Sequence, residues 1–152
     1  MKAVVFHEQG DVNKLIYQDV PEPKISSTDV LVNVKACAVN HLDLRARRDR
    51  PEVEPYPHIL GSDIAGEVAE TGSEVKNIKV GDRVVVYPCI SCGSCTDCIS
   101  GHENLCDFQQ IIGFQTNGGY AEYVSVPIKN VFSFSGDMPD QKLAAIPIAY
   151  LT

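Results

Sequence analysis

Apolar and polar residues alternate with a period of two along most of the chain, the pattern of half-buried β-strands. It runs through residues 1–8 (MKAVVFHE), 14–20 (KLIYQDV) and 29–39 (DVLVNVKACAV). In the third stretch Val30, Val32, Val34, Ala36 and Ala38 face away from Asn33 and Lys35. Further strands are predicted at 64–72, 82–88, 118–127 and 130–135, with turn residues between them at Gly10-Asp11, Pro21 to Pro23, Gly72-Ser73 and Gly81-Asp82. Many short strands at this spacing predict an all-β barrel or sandwich. Two segments read as helical. Residues 40–48 (NHLDLRARR) carry Leu42 and Leu44 among charges without a clean apolar stripe, which suits a short surface helix or turn. Residues 137–152 (DMPDQKLAAIPIAYLT) suit a helix start capped by Asp137. That segment turns strongly apolar at Ile146, Ile148, Tyr150 and Leu151 with little sequence left to pack against, so a fragment of a longer protein is expected.

Length and composition set the class. The 152 residues suffice for one domain, residues 1–152, with its own core, and 44% hydrophobic against 22% charged residues is a soluble globular balance. No run approaches the roughly 18 apolar residues of a membrane span, and the start has no apolar leader stretch. A cytoplasmic location is expected, where clustered cysteines serve as metal ligands more often than as disulfides. A net charge of −7 argues against a nucleic-acid surface.

Five of the 6 cysteines lie between residues 89 and 106. Cys92, Cys95 and Cys98 are each separated by two residues, and Cys106 follows after a longer excursion. Short C-x-x-C spacings bring thiolates together on a tetrahedral ion, and a full shell of four sulfurs leaves no open position for substrate. One zinc ion that holds structure is the expectation, with Gly93 and Gly101 at the sharp turns. Cys89 repeats the spacing but lies after Pro88 at a strand end, where it suits a small packing residue. Cys37 is placed as a packing residue on the strand face opposite Val30. His102 reads as a loop residue, and His7 and His58 as surface or packing residues.

The four-cysteine spacing resembles the structural zinc lobe of zinc-containing alcohol dehydrogenases, in the medium-chain dehydrogenase/reductase superfamily. MKAVVF at the start, GSDIAGEV (61–68), VGDRVVV (80–86) and NGGYAEYVSVP (117–127) follow in the family's order. The resemblance implies a GroES-like (co-chaperonin-like) β-barrel that carries the substrate side, with residues 89–106 as its zinc lobe. It also implies a Rossmann domain binding NAD or NADP, whose G-x-G-x-x-G fingerprint is missing from this chain. Small alcohol, aldehyde, ketone or quinone substrates and a homo-oligomeric full-length protein follow from the same likeness, with no nucleic-acid or membrane partner. The fragment alone is expected to be inactive.

Departures from the family alter the chemistry. Asn40 stands where the family has a catalytic zinc-ligand cysteine, and Ser62 and Asp63 stand where it has GHE. Residues 143–152 offer no Cys, His, Asp or Glu as a third ligand, and Leu42 replaces the proton-relay hydroxyl. Asn and Ser are poor zinc ligands beside thiolate and imidazole, so a catalytic zinc is not expected. His41, Asn40, Asp43, Ser62 and Asp63 converge by resemblance. His41 is the proton carrier, a cofactor-phosphate contact or a surface residue. Asp43 orients Asn40 or His41, or caps the short helix, and Asp63 accepts a backbone hydrogen bond. Three functions follow: the substrate-side domain of an NAD(P)-dependent alcohol dehydrogenase-like oxidoreductase, a quinone or enone reductase domain of the same superfamily, or a stand-alone zinc-stabilised interaction module.

Overall fold

The structure, a computed structural model, describes residues 1–49 and 56–150. The apolar end segment noted above therefore reaches Tyr150, while Leu151 and Thr152 lie outside the described residues. Ten strands and three helices follow in the order β1 (Lys2–Phe6), β2 (Ile16–Asp19), β3 (Asp29–Ala38), α1 (His41–Asp49), β4 (His58–Ile59), β5 (Asp63–Thr71), β6 (Arg83–Val86), β7 (Cys89–Ile90), α2 (Thr96–Ile99), β8 (Gln110–Ile111), β9 (Tyr123–Pro127), β10 (Val131–Ser133) and α3 (Asp140–Ala144). Every predicted strand forms. The two-residue strands β4, β7 and β8 were not read from sequence, being too short for any periodicity.

The alternating valines drive the main sheet. Its order is β10-β6-β5-β3-β9, all antiparallel, and a second sheet runs β2-β1-β4. The sheets join where Ala3 bridges Ala121, with Val4 N–H donating to the Tyr120 carbonyl at 2.8 Å and Glu122 N–H to the Lys2 carbonyl at 3.0 Å. The result is a curled, barrel-like arrangement of the two sheets. Val30, Val32, Ile64, Val68, Val84, Val86, Val124 and Val126 fill its interior. Each such side chain, fully buried, contributes roughly 1.5–3 kcal/mol. No helix among the described residues is long and apolar enough to cross a membrane.

Two expectations are corrected. The simple alternation along β3 fails at its register shift against β5 between Val34 and Ala36. A one-residue slip exchanges the faces of a strand. Lys35 is the unpaired residue there, and Cys37 beyond it packs with the Val30 set instead of opposite it. Ala36 turns outward to pack with Leu143 and Ala144 of α3. The second correction concerns α3, which starts at Asp140 with Pro139, not Asp137, as its capping residue. Arg83 sets that start by donating to the carbonyls of Gly136 and Met138, both at 2.7 Å, and to the Asp140 carboxylate at 2.6 Å. The helix is only five residues long. Pro147 follows it and has no N–H with which to continue.

Candidate metal centre and barrel polar site

The loop between β6 and β9 projects from the barrel as a lobe. β7 and β8 pair at its neck, Cys89 opposite Ile111 and Ile90 opposite Gln110. Gly93 and Gly101 adopt left-handed backbone, with φ of 73° and 84°, which L side chains rarely tolerate. These turns fold Cys92 back over the start of α2, place Cys98 within it, and return Cys106 after a 3-10 turn over Glu103–Leu105. The sulfurs of Cys92, Cys95, Cys98 and Cys106 all lie within 4.8 Å of one another, and those of Cys92 and Cys98 are 3.8 Å apart. Four sulfurs at about 2.3 Å from a tetrahedral zinc stand roughly 3.8 Å apart. The donor set and its spacing fit that ion.

Backbone donors are already aimed at the sulfurs. Cys95 N–H points at Cys92 Sγ at 3.3 Å, and Cys92 N–H at Cys106 Sγ at 3.4 Å. The Ser94 and Cys95 N–H groups pull the Cys92 thiol down to about 6. Desolvation pushes the Cys98 thiol up to about 12. Metal binding requires both as thiolates. Cys89 is half-buried in β7, outside the four. His102 is exposed, its Nδ1 3.1 Å from Ser100 Oγ, and it too stands outside them.

The polar site on the barrel is built from residues far apart in sequence. Asn40 precedes α1, and Asp43, in its first turn, accepts the Asn40 N–H at 2.7 Å. This is half of a capping box, a side chain three residues into the helix reaching back to the cap. Asp43 does more than cap. It also accepts the Tyr120 hydroxyl at 2.8 Å and the Gly61 N–H at 3.1 Å while only 4% exposed. Gly61 has φ of 100°, and a Cβ there would lie 2.7 Å from both Cys37 Sγ and the Tyr120 ring. Only glycine suits that place.

Asp63 opens β5 and forms the second knot. Its carboxylate accepts Asn40 Nδ2 and the Ile148 N–H, both at 2.8 Å. It thereby ties the start of α1, the start of β5 and the segment after α3. Burial raises the Asp63 pKa, the nearby Asp43 charge adds to this, and the two hydrogen bonds oppose it. Burial and the same carboxylates push the Cys37 thiol and, with Asp43, the Tyr120 hydroxyl far upward. Ser62 is fully buried, and its Oγ has no hydrogen-bond partner. Asn40 thus links Asp43 and Asp63 by hydrogen bonds, with buried Ser62 next to Asp63 in the chain. His41 does not join them by hydrogen bonding: it is exposed at the first position of α1, and no hydrogen bond links its ring to those four. His7 is exposed and His58 is buried edge-on against Phe6, with ring centroids 5.7 Å apart.

Sequence reasoning missed Tyr120 and the Ile148 N–H as members of this site. Tyr120 follows two glycines, of which Gly119 leaves no room for a Cβ beside Ile64 and Cys37. That close approach was the available signal. The Ile148 contact is made by backbone and had none.

The described features agree with known proteins. The family described as alcohol dehydrogenase GroES-like domain matches residues 26–137. An alcohol dehydrogenase of Geobacillus stearothermophilus is 39% identical, the match covering 100% of this chain and 45% of that protein. A crystal structure of an NAD-dependent alcohol dehydrogenase superposes with a TM-score of 0.96 at 40% identity, over 100% of this chain and 45% of the other. A cobalt- and zinc-bound thermostable alcohol dehydrogenase from Pyrobaculum aerophilum superposes with a TM-score of 0.92 at 37% identity, over 100% and 46%. The chain spans about 45% of the length of the curated relatives it matches best in extent. With a GroES-like barrel, a four-cysteine lobe and a family match over most of its length, this chain belongs to the alcohol dehydrogenase GroES-like domain family.

Proposed function

We propose that the chain is the substrate-side domain of an NAD(P)-dependent, alcohol dehydrogenase-like oxidoreductase that holds one structural zinc and works without a catalytic one. Four convergent sulfurs in the lobe, set against amide, hydroxyl and occupied carboxylate groups at the barrel site, carry the proposal. Cys92, Cys95, Cys98 and Cys106 are the zinc ligands. With its shell closed by thiolates, that ion supplies fold stability and no Lewis acid.

At the barrel site the residues present do not fit a second zinc. Asn40 donates its amide N–H to Asp63, and each carboxylate oxygen of Asp43 and Asp63 already accepts at least one N–H or O–H donor. Ser62 Oγ is a weak ligand in its neutral form. A nicotinamide cofactor, bound by a Rossmann domain outside these 152 residues, accepts or donates hydride. Asp43 and Asp63 hold the site's shape, while exposed His41 carries the proton that accompanies hydride transfer. Small alcohols, aldehydes and ketones are the proposed substrates. The same donor set also suits a quinone or enone reductase, in which protonation replaces metal polarisation, and a substrate panel separates the two.

Metal analysis of the intact protein tests the proposal. One zinc per chain is expected, lost in Cys95→Ser and kept in Cys89→Ser. Two zincs per chain, or none, would overturn it.

A further inference from the structure

The lobe has a charge problem that its own sequence does not solve. Zinc with four thiolates carries a net charge of about −2 by simple summation of formal charges. Residues 89–106 add Asp97 and Glu103 and contain no Lys or Arg. A cation arrives from elsewhere. Lys129 sits in the 3-10 turn Ile128–Asn130 that leads into β10. Its ammonium donates to the Ser91 carbonyl and, at 3.0 Å, lies against Ser91 Oγ, 38 residues away in sequence. Ser91 is 5% exposed and immediately precedes the ligand Cys92, and its hydroxyl donates to the Glu103 carboxylate.

The neighbouring residue holds the same strand. Asn130, 1% exposed, donates through Nδ2 to the carbonyls of Tyr87 and Cys89, both at 2.8 Å, and the Tyr87 N–H returns to the Asn130 carbonyl at 2.8 Å. One short turn therefore grips three alternate carbonyls, those of residues 87, 89 and 91, along one side of the strand entering the lobe. Alternate carbonyls point the same way in extended backbone. The turn is seated so that its only charged group stands on Ser91, the residue before the first ligand cysteine.

We infer that Lys129 is the counter-charge and positioning residue of the metal centre, acting through Ser91 on Cys92. This rests on the zinc assignment proposed above. The partners of ligating residues tune metal affinity, typically by 10–100-fold when removed, and an exposed ammonium falls at the low end of that range.

Zinc transfer from the intact protein to a chromogenic chelator tests the inference, using wild type, Lys129→Met and Lys129→Arg at low and at high salt. At low salt Lys129→Met should release zinc about tenfold faster than wild type. Lys129→Arg should restore most of the difference. Near 1 M salt, where the screening length is about 3 Å, the gap should narrow. Release rates within about twofold at low salt would overturn the inference. So would a gap that salt leaves unchanged, because a mere strut would not respond to screening. Wild-type protein that carries no zinc would overturn the metal assignment itself, a result distinct from a zinc-loaded Lys129→Met that behaves like wild type.

Discussion

In the barrel, Val30, Val32, Ile64, Val84 and Val86 are fully buried, and the polar site above them consists of carboxylates whose oxygens are occupied by named donors. In the lobe, Ile99, Leu105 and Phe108 are 76%, 58% and 69% exposed, and between Cys89 and Asp107 only Ser91, Cys98 and Cys106 are buried. The barrel closes around apolar side chains, whereas the lobe closes around sulfur. A region that buries so little apolar surface cannot offset the entropy of ordering its backbone, about 1–2 kcal/mol per residue. On the zinc assignment proposed above, its order depends on a bound ion. The polar site is held by hydrogen bonds across a packed core.

Removing the metal should break this contrast most sharply. Structural zinc contributes on the order of 10–16 kcal/mol of apparent binding energy in small fingers. In Cys95→Ser the amides of residues 89–109 should lose hydrogen-exchange protection, while those of β3, β5 and β6 keep theirs. Equal loss in both regions would mean that the barrel too depends on the metal. On the barrel side, His41→Ala in the intact enzyme should lower kcat by about 10²- to 10⁴-fold, the usual contribution of a general acid or base. Cofactor affinity should change little. Weaker cofactor binding with unchanged kcat would reassign His41 to the cofactor.

A smaller effect is expected from Asp43→Ala, which orphans the Gly61 N–H, the Asn40 N–H and the Tyr120 hydroxyl together. A buried group left without a partner costs roughly 1–3 kcal/mol, and since only the Gly61 N–H is fully buried while the other two are half-buried, a loss of about 1–3 kcal/mol should appear in urea unfolding. Zinc content should be unaffected. A loss below about 1 kcal/mol would show that water replaces the carboxylate.

The smallest effect concerns pH. Asp63 holds its proton more tightly in the folded state than the ordinary carboxylate does. Between those two pKa values the folded state binds more protons, so this contribution to stability is present at low pH and is lost as pH rises through the folded value. The stability of wild type relative to Asp63→Asn should therefore decline as pH rises from about 4 toward 7. A flat difference across that range would remove Asp63 from the pH response.

How far each region could be read ahead follows from how its residues are spaced. Cys92, Cys95, Cys98 and Cys106 lie within one loop, so their spacing already describes a tetrahedral shell, and the structure only had to bring the sulfurs close. The strands were legible because alternation is local. Cys37 was placed on the wrong face because nothing in the residues around Lys35 announces a register shift. Asp137 suits a cap by residue type, while Arg83 from β6 determines where α3 begins.

Residue order by itself determined the barrel class and the four-cysteine lobe, since periodicity and short-range spacing act within a few residues along the chain. Only the tertiary structure decided the polar site and the seat of the lobe. Asp43 meets Tyr120 across 77 positions, Asp63 meets the Ile148 N–H across 85, and Lys129 meets Ser91 across 38. Such pairings depend on where strands shift register and which backbone groups are left without partners inside. A buried donor or acceptor must be satisfied by whatever the fold brings alongside it, and that neighbour is set by packing instead of by sequence proximity.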